Sequence, residues 1–121
     1  VNLEEYNQRL QLLLEENIIT NEAHTVAEKV FMNFIAVVGK EEVDHAEMLF
    51  THLPMALTRI QNGEEVEKPS ALIMKEIEES SHISCVKEQV AFIESLWNKP
   101  LPQGEKEYLY MHYVTVLNAN C

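Results

Sequence analysis

Apolar residues recur at spacings of three and four along almost the whole chain, which is the period of an amphipathic helix. The stretch Ala23, Val26, Ala27, Val30, Phe31, Phe34, Ile35 and Val38 is the cleanest stripe. Only 3 glycines and 4 prolines punctuate 121 residues, too few for a turn-rich β sandwich. The expected fold class is therefore all-α: a compact antiparallel bundle of five to six helices in one domain, residues 1–121.

The pattern divides into segments. A first helix is expected over about Leu3–Glu16, carrying Leu3, Tyr6, Leu10, Leu13 and Leu14. Thr20 or Asn21 can cap the second, which Gly39 stops. A long third helix is expected from about Glu41 to Gln61, with Ala46, Leu49, Phe50, Leu53, Leu57 and Ile60 facing inward; Asn62-Gly63 ends it. Pro69 sits where a fourth can begin, with Leu72, Ile73 and Ile77 inward. A fifth covers about His82–Trp97. After the loop holding Pro100 and Pro102, a sixth covers about Glu105–Asn118, presenting Leu109, Tyr113, Val116 and Leu117.

Charge narrows the function. Nine basic against 20 acidic residues leave a formal −11, and such a surface repels phosphate backbones and anionic membranes. No direct nucleic acid and no membrane contact are expected. Two cysteines, Cys85 and Cys121, form neither a disulfide framework nor a zinc pattern and suit a cytoplasmic setting. There is no GxxxxGK[ST] loop, HExxH pair or GxSxG elbow, so neither an enzyme nor a cofactor is expected. A metal site from His45, His52, His112 and a cysteine lacks any short chelating spacing, and no metal is expected.

Histidines carry what remains. His45, His52 and Arg59 recur every seven residues, which on one helix returns to within about 20° and forms a row. That row lies at the rim of the buried stripe, where an imidazole meets both a packed surface and water. His112 sits near the edge of the last apolar face, and Glu105 is two turns earlier on the same side. The alternative for each histidine is a packed, half-buried boundary residue. Met48 and Met55, a heptad apart beside the row, read as core filling or a dimer seam.

The stretch His52-Leu-Pro-Met-Ala-Leu-Thr-Arg59-Ile-Gln-Asn-Gly63, followed by Pro69 and a helix, resembles the PTS regulation domain. So does Leu101-Pro-Gln-Gly-Glu105-Lys-Glu-Tyr-Leu-Tyr-Met-His112. Together the resemblance spans about Glu4 to Asn118. It implies a bacterial regulatory module rather than a catalyst, one that dimerises and whose histidines are phosphorylated by phosphocarrier proteins of the sugar phosphotransferase system. Such modules sit in transcriptional antiterminators or activators, so this chain is either a free-standing copy or a piece of a larger regulator. By match to the motifs, His112 and His52 are the implied phosphoacceptors. Arg59, Glu105 and His45 are candidates to support the phosphate or an interface. Many members carry Asp immediately before the first histidine, where it would orient the imidazole; this chain carries Thr51. The alternative function is a phosphorylation-independent interaction module of the same fold. In a chain at −11, added phosphate is expected to loosen a homodimer seam unless Arg59 receives it.

Overall fold

The computed structural model describes residues 1–64 and 68–121. Six helices follow one another: α1 Leu3–Glu15, α2 Asn21–Val38, α3 Glu47–Gln61, α4 Ala71–Glu78, α5 Ile83–Trp97 and α6 Gln103–Asn120. There is no strand among the described residues, and the all-α bundle stands as expected. Helix α2 is central, packed against α1, α3 and α5, while α6 covers α3, α4 and α5.

Local chemistry sets most helix ends. The Thr20 hydroxyl accepts from the Ala23 N–H at 3.2 Å and so caps α2. Gly39 ends α2 at φ +71°, a left-handed conformation that a Cβ would strain. Ser70, not Pro69, caps α4 by accepting from the Ile73 N–H at 3.2 Å.

The start of α3 departs from the periodicity. Residues 41–46 are irregular, and His45 takes φ +56°. Tertiary contacts hold them there. The Asp44 N–H donates to Asn120 Oδ1, and Asn120 Nδ2 donates to the Asp44 carbonyl, both at 2.8 Å. The Val43 N–H donates to the Val1 carbonyl at 2.8 Å. Val43 and Ala46 are both fully buried all the same, so the periodicity of three and four continues through a segment that is not helical. Helix α4 also differs from expectation. Ile77 is buried, but Leu72 is 71% exposed and Ile73 41%, because α4 packs on α6 through only one edge.

An aromatic cluster joins four helices. Phe50 of α3 lies 5.5 Å from Tyr6, 4.8 Å from Phe31, 5.4 Å from Phe34 and 6.4 Å from Tyr113, between ring centroids. The edge-on contacts with Phe31, Tyr6 and Tyr113 suit the ring quadrupoles.

The same cluster repairs a defect in α3. Pro54 lies inside the helix and has no N–H to give the Phe50 carbonyl. The Tyr6 hydroxyl donates to that carbonyl at 2.6 Å. Burial, then the neighbouring Tyr113 phenol, pushes the Tyr6 pKa well above its ordinary value, so the hydroxyl keeps its proton and stays a donor. Tyr6→Phe is expected to cost about 1–3 kcal/mol by stranding a buried acceptor. In a Pro54→Ala background, where a backbone N–H returns, the cost should shrink. Urea titration of the four-member cycle measures this coupling, and equal costs in both backgrounds would refute the repair.

Candidate functional site

The candidate residues converge where α3 crosses α6. His52 and Arg59 are two turns apart on α3, and Glu105 and His112 are two turns apart on α6. Two turns rise about 10.8 Å, so equal spacings can register. Arg59 meets Glu105, and the His52 and His112 rings lie 5.2 Å apart between centroids, tilted by 45°. The late residue of α3 thus meets the early residue of α6, and the helices run in opposite senses.

The loop before α6 sets the depth of Glu105. Leu101 is buried, and its N–H donates to Glu94 Oε2 of α5 at 2.7 Å. Lys106 lies 3.7 Å from the other Glu94 oxygen. Anchored in this way, α6 enters the core at Gly104 and takes Glu105 inside, leaving it 1% exposed. A carboxylate so buried needs partners. Arg59 Nη2 donates to Glu105 Oε1 at 3.2 Å, and His52 Nε2 stands 3.6 Å from Glu105 Oε2. Burial pushes the Glu105 carboxyl up, but the His52 imidazole and the Arg59 guanidinium outweigh it and hold the group below the ordinary carboxylate range.

His112 is different. Burial, then the neighbouring His52, lowers its proton affinity below the ordinary imidazole value. A ring kept neutral near pH 7 retains a nucleophilic lone pair. His52 and Arg59 each keep about a quarter of their side chains exposed, 23% and 27%. The pair therefore sits at the rim that the seven-residue row anticipates.

One placement corrects the sequence reading, and two others refine it. His45 lies outside α3, exposed and in the left-handed region, so the row contains only His52 and Arg59. Glu105, placed from sequence only on the same side of α6 as His112, pairs across the seam with α3. Of the two methionines, Met55 packs against the core, while Met48 is 71% exposed. The structure also adds a residue that sequence reasoning missed. Arg9 of α1 donates from Nη1 to Thr51 Oγ1 at 3.1 Å, setting a cation beside the residue that precedes His52. Its only sequence signal is position, one residue before the buried Leu10.

Cys85 is free and half-buried, and burial, then Glu88, pushes its thiol up, away from a reactive thiolate. Among the described residues, no group of three or more His, Cys, Asp or Glu is placed to hold a metal ion. No described helix is long and apolar enough to cross a membrane.

The family model of the PRD domain matches residues 24–116. The match runs from within α2 to near the end of α6, taking in His52, Arg59, Glu105 and His112 and leaving out α1. No curated relative and no solved structure matches the chain. With most of its length matched and both histidine motifs meeting at one seam, the chain belongs to the PRD domain family, regulatory modules tied to the sugar phosphotransferase system.

Proposed function

We propose that this domain is a non-catalytic regulator whose His112 and His52 accept phosphoryl groups from phosphocarrier proteins of the sugar phosphotransferase system. The observation that carries this reading is the pair of rings 5.2 Å apart on a partly exposed rim, beside a cation and a buried carboxylate. Transfer from one imidazole to another exchanges similar bonds, so orientation is most of what the receiver must supply. A phosphoryl group adds about two negative charges at pH 7. At this seam it competes with Glu105 for Arg59, and the exchange would bias dimerisation or partner contacts, and through them transcription or antitermination. The setting is cytoplasmic, where the carriers work.

Incubation with a phosphorylated carrier, read by intact mass, tests this. One acid-labile phosphoryl increment is expected, reduced by His112→Ala and by His52→Ala. No increment, beside a family member that takes one, overturns it. The second reading, a phosphorylation-independent interaction module, draws on the exposed Leu72 and Ile73 of α4. The same assay separates the two.

A further inference from the structure

Two buried polar atoms face each other across the α3–α6 seam, each without a hydrogen bond in range: His52 Nε2 and Glu105 Oε2, 3.6 Å apart. Buried polar atoms are seldom left unmatched in a folded protein, and chemistry limits how these two can match. The other Glu105 oxygen already takes the Arg59 guanidinium. An ionised carboxylate can only accept. The nitrogen facing it must therefore be the donor. A neutral imidazole carries one N–H and one lone pair, on different nitrogens.

We infer that Glu105 holds His52 as the Nε2–H tautomer, so that any phosphoryl group enters His52 at Nδ1 and never at Nε2. The tautomer stands on the seam geometry alone; its consequence for phosphorylation rests on the function proposed above. Access points the same way. Nε2 has essentially no accessible surface, and the exposed 23% of the side chain belongs to its other atoms. A buried carboxylate that fixes a histidine tautomer and then stabilises the cationic ring is a known arrangement in acyl transfer. Glu105 acts here as a positioning residue.

The step balances. The Nδ1 lone pair forms the new N–P bond while the donor's P–N bond breaks, and the donor imidazole leaves with that electron pair. Nε2 keeps its proton throughout. The product is a phosphoimidazolium whose positive ring faces Glu105, and a donor phosphoimidazolium gives up the same charge as it becomes neutral imidazole.

Long-range proton–nitrogen NMR on the nitrogen-15-labelled chain tests this, with His52→Gln identifying the His52 ring signals by their loss. At alkaline pH, where imidazole rings are neutral, a pyrrole-like Nε2 and a pyridine-like Nδ1 are expected. The reverse assignment, or an even mixture, overturns the inference. Glu105→Gln should move the ring toward an even mixture, because a carboxamide can donate as well as accept. If that variant does not fold, the parent spectrum still decides. The second measurement treats His112→Gln with phosphoramidate, a small donor whose N–P bond breaks with loss of ammonia. Peptide mapping isolates His52 from the other histidines; phosphate at its Nδ1 supports the inference and phosphate at its Nε2 overturns it. A chain that takes no phosphoryl group from either donor defeats the proposed function, and the tautomer measurement then still decides the inference by itself.

Discussion

Phe50→Ala is expected to destabilise the domain by about 3–5 kcal/mol, the range for truncating a buried aromatic ring. Phe50 is fully buried and is the common neighbour of Tyr6, Phe31, Phe34 and Tyr113, so four helices lose a shared contact at once. These rings are held by different helices and cannot all collapse into the space, which favours the upper part of that range. A domain stabilised by about 5–15 kcal/mol would lose a large share of its margin. The melting temperature should fall by more than about 10 °C. Leu12→Ala is the contrast: at 57% exposure it should change stability by no more than about 0.5 kcal/mol. Urea titration of both variants measures the difference, and a loss under about 1 kcal/mol for Phe50→Ala would contradict the role given to this ring.

The second large effect is electrostatic and changes with pH. Arg59→Ala leaves the Glu105 carboxylate buried without its guanidinium. Breaking a buried pair costs about 3–5 kcal/mol. Arg59 keeps 27% of its side chain exposed, so about 2–3 kcal/mol is expected at neutral pH. In the parent, Glu105 is held below the ordinary carboxylate range. Its contribution is therefore present above the unfolded carboxylate pKa and lost as pH falls through the lowered folded value. In the variant, burial dominates and the carboxyl pKa rises. The folded state then favours the protonated acid, so the penalty is fully present above the raised value and is relieved as pH falls through it. His112, whose proton affinity is lowered in the fold, loses stability in acid in both proteins and largely cancels from the difference. The gap in melting temperature between parent and Arg59→Ala should thus narrow from neutral to acid pH. A gap that widens in acid would show that Arg59 is not neutralising Glu105.

The site was legible in part because helical spacing is a local property. His52 and Arg59 could be set on one rim by arithmetic, and the structure keeps them there. The partner of Glu105 could not be found from its own helix, since the contact depends on how α6 crosses α3. A usable signal was present. The interval from His52 to Arg59 equals that from Glu105 to His112, and an antiparallel crossing lays histidine on histidine and arginine on glutamate. The exposed face of α4 was misread for a related reason, since periodicity marks an apolar stripe without saying whether a neighbour covers it.

What the sequence by itself determined is therefore local: the helical class, the Thr20 and Gly39 boundaries of α2, the inward faces of α2 and α6, and the family motifs. Backbone propensity, caps and three-to-four spacing act within a few residues, so they can be read there. Only the tertiary structure decided where α3 begins, how Pro54 is tolerated and what Glu105 binds. Asn120 holds Asp44 from 76 positions away, Tyr6 reaches Phe50 across 44, and Glu105 reaches Arg59 across 46. The last two serve buried acceptors, the Phe50 carbonyl and the Glu105 carboxylate, and in all three the partner is in reach only once the helices have packed.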